Sequence, residues 1–363
     1  MTRFWLAAVF QLTVPHFAFS KPSSVWSQET RANEIKVASY NVLNLFDTEK
    51  DQDKDDWTFL PLAFPGKKEA CKKIKEVYYR EQCLSVDWTE PKLAKKIDQI
   101  KKSLDLQGDL PDILGVYEIE NRNVATMLQK HLGYSDFKMT DSLGSRGIDV
   151  ALFFRSEKLE LLEESHLRVP QTTTRDILRL KFGLRGNSNA FYIYANHWPS
   201  MAAPAQERVR MARFLIEDMQ RLQQVHGKNI HLIAMGDFNT PEDESPNAFK
   251  DVVHAKGSPV QLFDAEALGR LNSNPAVSEF PQGTYWYQRN KKWQKFDRII
   301  YSSTLKDGSG LEALPESFRI HFPQEIRMKR GGMDTPWTFD FTETNQSKMG
   351  YADHLPLIQK FRF

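Results

Sequence analysis

Residues 230–244 read IHLIAMGDFNTPEDE, an apolar run that breaks at Gly236-Asp237-Phe238-Asn239 and is closed by Thr240-Pro241. The run has the composition of a buried strand, and the proline cannot extend it. Alternate residues of a strand face one side, so Asp237 and Asn239 are expected to point into one space. A carboxylate and an amide converging at a strand mouth are either a satisfied turn or a working site. The other strand ends separate these readings.

Strand-like runs rich in branched and aromatic residues recur along the chain: IKVASYNVLNLF, DILGVYEIE, DVALFFR, LRLKFGL, FYIYANHW, FDRIIYS and LPLIQKFRF. Between them, PKLAKKIDQIKKSL places Leu93, Ile97, Ile100 and Leu104 at helical spacing with Pro91 near its start. NVATMLQKHL and APAQERVRMARFLIEDMQRLQQ read the same way. Strands and helices alternate only in part, and several strands follow one another directly. That mixture predicts two packed sheets with outer helices rather than a doubly wound parallel sheet.

No repeat and no flexible linker divides the chain. Residues 48–90 read as an insertion, with an acidic patch (DTEKDQDKDD) followed by a basic one (KKEACKKIKEVYYR). Asp51, Asp53 and Asp55 imitate a calcium loop, but Asp56 stands where a glycine is needed and Leu62 where a glutamate is needed. A solvated excursion is the better reading. Residues 304–350 are expected to form a second irregular surface excursion.

The 363 residues carry a formal net charge of +2, which excludes a bulk polyanion-binding field and leaves only local patches for a nucleic acid. At the N-terminus, Arg3, the apolar FWLAAVFQLTV and AFS before Lys21 form the parts of an export signal over residues 1–20. Pro15 stops the run short of the roughly 20 apolar residues that span a bilayer. A stretch over 21–35 then leads into a domain over 36–363, placed outside the cytoplasm, secreted or periplasmic, with no membrane span. Cys71 and Cys83 are the only cysteines, and in an exported chain a local disulfide is expected.

Further strand ends carry chemistry: Asn41 in SYNVLNL, Glu118 in YEIEN, His197 before Pro199, Asp297 inside a hydrophobic run, and Asp353-His354 before the last strand. A carboxylate in a strand needs a partner once buried, and a histidine suits Asp297. Glu118 and Asp353 are hard oxygen ligands for Mg²⁺ or Mn²⁺. An Asp297–His354 pair would fix the imidazole tautomer and raise its basicity. Asp237 and Asn239 could orient a water, and His197 a phosphate oxygen. The chain has no HExxH, CxxC or Gly-rich phosphate loop.

In order, SYNVLNLFD, YEIEN, RGIDVALFFR, YANHWPS, GDFNTP, KFDRIIYS and YADHLP resemble the motifs of the endonuclease/exonuclease/phosphatase superfamily, the group of pancreatic deoxyribonuclease. Several of them are similar to a bacterial endonuclease-like branch. The resemblance implies a four-layer α/β sandwich, two mostly antiparallel sheets face to face with helices outside. It implies Glu118 as the main metal ligand with Asn41 and Asp353 beside it, and a cofactor of Mg²⁺, Mn²⁺ or Ca²⁺. It also implies that Asp237 and Asn239 position the water, that His354 oriented by Asp297 binds phosphate, and that His197 meets the scissile phosphate. Either Asp237 or His354 takes the proton. Arg146 is a further phosphate contact. Leu43 departs from the pattern, standing where many members have an acid.

The resemblance does not name the ester. TYWYQRNKKWQKFDR sets Arg289, Lys291, Lys292 and Lys295 beside Trp286, Tyr287 and Trp293, a composition suited to phosphate contacts and base stacking. The expected activity is therefore a monomeric nuclease acting on DNA, and on RNA second. A phospholipid phosphodiesterase of the sphingomyelinase kind is the alternative. WTFLPLAFP is the one stretch that could meet a lipid surface, and it reads better as core.

Overall fold

The computed structural model describes residues 33–172, 174–272, 281 and 283–363; the expected export signal and nearly all of the 21–35 stretch lie outside them. The first sheet opens with β1 (Glu34–Leu45), β2 (Ile113–Ile119), β3 (Asp136–Met139) and β4 (Asp149–Phe154). The chain then crosses to the second sheet for β5 (Leu159–Leu167), β6 (Ile177–Leu184), β7 (Ala190–His197), β8 (His231–Asp237) and β9 (Leu262–Asp264). A hairpin of β10 (Tyr285–Tyr287) and β11 (Lys292–Gln294) leads into β12 (Asp297–Ser302) of the second sheet. β13 (Glu312–Ile320) and β16 (Leu357–Arg362) return to the first sheet around a ribbon of β14 (Arg327–Arg330) and β15 (Met333–Pro336). The strand orders are β13-β16-β1-β2-β4-β3 and β5-β6-β7-β8-β12-β9.

Each sheet is antiparallel except for one central parallel pair, β1 with β2 and β7 with β8. Parallel neighbours require a crossover, usually helical. α1 (Lys67–Lys72), α2 (Val77–Ser85) and α3 (Glu90–Asp105) lie between β1 and β2, and α4 (Arg122–Leu132) follows β2. α5 (Ala205–His226) joins β7 to β8, and α6 (Ala265–Leu271) follows β9. The carboxyl ends of parallel strands are where chain leaves the sheet and where α/β proteins place their ligands. Asn41, Glu118, His197 and Asp237 all sit at such ends.

Strand alternation separates the layers. Val37, Ile113, Ile193 and Ile233 fill the core between the sheets. Their neighbours Ala38 and Leu114 face α3 and α4, and Tyr194 and Ala234 face α5. The expected stripe of α3 is buried at Leu93, Ile97, Ile100 and Leu104, with Pro91 in its first turn. Asn121 caps α4 by accepting from the Val124 N–H, and Gly133 ends it with φ of 76°. This is the expected four-layer sandwich. Among the described residues, no helix is long and apolar enough to cross a membrane.

β7 and β8 approach so closely that Gly236 is obligatory. Its φ is 147°, and a Cβ there would stand 1.9 Å from the Asn196 carbonyl oxygen. Backbone cannot yield as a flexible side chain can. Gly236→Ala is expected to cost about 3 kcal/mol or more, read as a lowered midpoint in urea unfolding. An unshifted midpoint would contradict this packing.

Cys71 in α1 and Cys83 in α2 are joined by a disulfide, with Cα atoms 5.5 Å apart. Closing so short a loop restricts the unfolded chain by about 2–3 kcal/mol. The unreduced, denatured protein is expected to show no free thiol, and reduction to lower its unfolding midpoint; two titratable thiols would refute the bond. The acidic patch before it is closed internally, because Lys50 pairs with the buried Asp56 at 2.7 Å. Phe59 and Leu60 of WTFLPLAFP are core, with Phe59 stacked 4.2 Å from Phe46, whereas Leu62 is exposed.

The 304–350 stretch is more regular than its sequence suggests, since β13 lies within it. Pro315 disguises that strand. A proline is tolerated there because β13 is an edge strand, and its pairing with β16 shifts register between Leu314 and Arg319.

Candidate active site

At the carboxyl ends of β1 and β2 the pairing breaks. Register shifts occur between Asn41 and Leu45 and between Tyr117 and Ile119. Leu43, Asn44 and Glu118 take φ of 60°, 55° and 65°, conformations that cost energy in non-glycine residues and gather at working sites. Such bulges re-aim side chains. Here Glu118 Oε2 accepts the Asn44 N–H at 3.0 Å, and Oε1 lies 3.9 Å from His197 Nε2.

β8 contributes Asp237, whose Oδ2 accepts the Asn41 side-chain amide at 2.9 Å and whose Oδ1 accepts the Asn239 N–H at 2.9 Å. Strand alternation does not bring Asp237 and Asn239 together as expected. β8 stops at Asp237, and Asn239 turns with φ of 47° so that its Nδ2 donates to the Trp198 carbonyl at 3.1 Å. The two are neighbours through a tight turn.

β12 pairs with β8 so that Asp297 stands directly opposite Asp237. Asp297 Oδ2 meets His354 Nδ1 at 2.7 Å and accepts the Thr284 hydroxyl at 2.6 Å. The other ring nitrogen, Nε2, lies 3.7 Å from Asp237 Oδ2, and His197 Nε2 lies 3.7 Å from the same oxygen. All of these side chains except Glu118 are nearly fully enclosed. The geometry thus joins Asp297, His354, Asp237, Asn41, Glu118 and His197 in one cluster.

Electrostatics divide the cluster. Burial alone would depress His354, but the Asp297 and Asp237 carboxylates outweigh it and hold the imidazolium well above its ordinary pKa. Burial pushes Asp237 up to about 7, with the Asp297 charge adding to the rise and His354 opposing it. His197 is driven well below its ordinary value by burial and then by the Arg175, Arg146 and His354 charges, so it stands neutral. Glu118 is lowered: burial opposes ionisation, and the Arg146, His354 and Arg175 charges more than compensate.

Two groups compete as metal ligands. One oxygen or nitrogen from each of Asp237, Asp297 and His354 lies within 4.8 Å of the others. Their facing atoms, however, are bonded to one another, to Thr284 and to Asn41. That arrangement is a hydrogen-bond relay rather than a cage. The Glu118–Asp353 side has spare acceptor capacity: the buried Asp353 Oδ1 lacks a partner, and Glu118 Oε1 lies 3.9 Å from His197 Nε2, beyond hydrogen-bond distance. Asp353 is raised by burial and by the Glu118 charge, against the opposing pull of His354. Two neighbouring carboxylates that offer hard oxygen donors, one of them raised by burial, fit a divalent cation. Asn41, expected as a third ligand, uses its amide to tie Asp237 into the cluster while its Oδ1 accepts the Leu43 N–H at 3.0 Å.

Arg146 lies at the rim, 3.9 Å from Glu118 and hydrogen-bonded to Asn44 Oδ1. Sequence reasoning missed Arg175. This arginine precedes β6, donates to the Trp198 carbonyl at 3.0 Å and leaves its buried Nε without a partner. Burial and the Arg146 charge push it down to about 10. Its signal in the sequence was only a single cation just ahead of a strand.

A buried carboxylate–imidazole relay beside a pair of hard-oxygen acids, at the carboxyl ends of both parallel pairs of an α/β sandwich, defines a metal-dependent phosphoesterase. The chain belongs to the endonuclease/exonuclease/phosphatase family, whose model matches residues 36–362. No curated protein sequence matches it. Among solved structures it is similar to the human nocturnin catalytic domain with bound sulfate, at 19% identity over 91% of this chain and 94% of that one, TM-score 0.54. It is also similar to D. rerio TDP2 complexed with single-strand DNA product, at 15% identity over 91% and 99%, TM-score 0.53. A mannosyl-6-phosphatase of Bacteroides thetaiotaomicron matches at 16% identity over 91% and 100%, TM-score 0.55. At these identities the likeness is one of fold.

Proposed function

We propose that the protein is an exported phosphodiesterase dependent on Mg²⁺ or Mn²⁺, acting as a non-specific nuclease on DNA and, second, on RNA. The observation that carries the reading is the relay itself, in which Asp297 orients His354 and both face Asp237 across a few ångströms. In this reading Asp237, with a pKa near the working range, takes the proton from the attacking water. The imidazolium of His354, neutral His197 and Arg175 receive the phosphate oxygens. Glu118 and Asp353 would hold the cation, which supplies charge neutralisation at the phosphate. Leu43 leaves that pair without a third acid.

The nucleic-acid part rests on a groove at the β10–β11 hairpin in which Lys250, Lys291, Lys292 and Lys295 outnumber the acids Glu242 and Asp243. Its aromatics mainly hold the hairpin, with Trp286 buried and 5.5 Å from Trp293, and Tyr285 4.8 Å from His354. Lys295 is tied to Asp264 and Glu266, whereas Lys291 and Lys292 are exposed, Lys292 in a solvent-screened pair with Asp243 at 3.5 Å. These surface cations suit backbone contacts better than base stacking does. The Cys71–Cys83 bond and the apolar N-terminal run support export.

Plasmid DNA, RNA and sphingomyelin, each with Mg²⁺, Mn²⁺ or EDTA, test the proposal. Nicking of plasmid that EDTA stops is the expected result. Lipid turnover with intact plasmid would replace the nuclease with the phospholipid reading, and hydrolysis of phosphomonoesters alone would replace both.

A further inference from the structure

The two irregular segments that the relay leaves unused, 48–90 and 304–350, meet beside the candidate metal ligands. α2 supplies one wall of a groove and residues 338–342 with Arg330 the other, while Leu43 and Asp353 form its inner end. Both walls are fixed. The disulfide anchors α2 to α1. Phe341 packs 5.3 Å from Phe59 and 5.6 Å from Trp88, binding the second segment to the first. Three residues on one face of α3 then clamp the second segment's backbone. Lys92 donates to the Phe341 carbonyl at 2.8 Å, Lys96 to Tyr351 at 3.1 Å and Gln99 to Gly350 at 2.9 Å.

The groove is polar but not cationic. Glu81 and Asp340 line it against a single cation, Arg330, and Asp353 adds a further carboxylate at the inner end. A run of phosphates would be repelled there. The groove instead offers the exposed ring of Tyr78 (73% exposed), the Gln82 amide, the hydrocarbon of Leu43, and the Thr338 and Thr342 hydroxyl oxygens as acceptors, since both hydroxyls already donate, to the Pro336 carbonyl and to Asp340. Flat aromatic surface with an amide donor and hydroxyl acceptors suits a base and its sugar.

We propose that this groove is a specificity subsite that seats the uncharged nucleoside next to the scissile phosphate, with Tyr78 as its stacking residue. The proposal rests on the nuclease reading above. Tyr78 touches none of the relay, and its exposure makes Tyr78→Ala harmless to folding.

The test compares a single-stranded oligonucleotide with a small diester of two abasic deoxyribose units, which presents the same scissile bond with no ring to stack on Tyr78. Tyr78→Ala is expected to lower kcat/KM on the oligonucleotide about 5- to 100-fold, mainly through KM, and to leave the small diester unchanged; Tyr78→Phe should retain wild-type values on both. An unchanged oligonucleotide rate in Tyr78→Ala, or equal losses on both substrates, overturns the subsite and leaves the nuclease reading standing. Wild-type protein that turns over the small diester but no oligonucleotide rejects the nuclease reading and the nucleoside with it.

Discussion

Asp237→Asn is expected to lower kcat on any phosphodiester by about 10²- to 10⁴-fold, the range ascribed to a positioned general base. The substitution keeps the shape of the side chain and one acceptor. It places an NH₂ against either the Asn239 N–H or the Asn41 amide, both of which now donate to Asp237. One frustrated hydrogen bond costs about 1–3 kcal/mol, too little to unfold a domain with three hydrophobic clusters. Circular dichroism and a modestly lowered Tm should therefore accompany the loss of turnover.

The pH profile sharpens the same prediction. Asp237 works as a base only when ionised, and burial has raised its pKa to about 7. Activity should therefore rise with pH along a limb at or below 7. A bound divalent cation moves that limb lower, because its charge favours the carboxylate. His354 must keep its proton to meet phosphate oxygens, so activity should fall again once pH passes its raised pKa. In Asp237→Asn the acid limb should vanish. A variant with near-normal rate and an unaltered acid limb would remove Asp237 from the chemistry.

His354→Ala should match that loss of turnover but at a visible cost in stability. Asp297 is 1% exposed, and without the imidazolium its carboxylate retains the Thr284 hydroxyl alone among the partners of Oδ2. Truncating one member of a buried charged pair destabilises by about 3–5 kcal/mol. A chemical-denaturation curve coincident with wild type would show that the pair carries no such charge.

How much of this was legible in the sequence depended on the kind of signal. Strands such as IHLIAM and FDRIIYS, buried on both faces, announced themselves by their branched and aromatic residues, and α3 by its four-residue stripe. β5, an edge strand, hid because the doubled Leu161-Leu162 and Glu163-Glu164 of LELLEESHL break the apolar–polar alternation, and β13 hid behind Pro315. Within the site, residue types pointed to Asp297–His354 because a carboxylate in a strand demands a partner. The left-handed turns at Leu43, Asn44, Glu118 and Asn239 had no such signal, since no glycine marks them. Arg175 was invisible for another reason. What singles it out is an unpartnered Nε beneath the cluster, and only tertiary structure creates that.

Glu118→Gln is the corresponding test of the cation. Glutamine keeps the length of the side chain and an acceptor for the Asn44 N–H, so the bulge at the end of β2 should persist. What disappears is an anionic hard-oxygen donor beside Asp353. Loss of an outer-shell partner alone costs about 10–100-fold in metal affinity, and loss of a ligand should exceed that. Because the Arg146, His354 and Arg175 charges hold Glu118 below its ordinary pKa, its ionised form stabilises the fold above the unfolded carboxylate range. At neutral pH the variant without metal should therefore be somewhat less stable than wild type. The decisive reading is the response to cation. Wild-type Tm should climb with added Mg²⁺ or Mn²⁺ according to RT ln(1 + [L]/Kd), whereas the Tm of Glu118→Gln should stay flat over the same concentrations. Calorimetric titration with Mn²⁺ should agree, showing heat for wild type and none for the variant. If both proteins gain the same stability from the metal, the cation sits elsewhere, and the Asp237–Asp297–His354 cluster becomes the place to look.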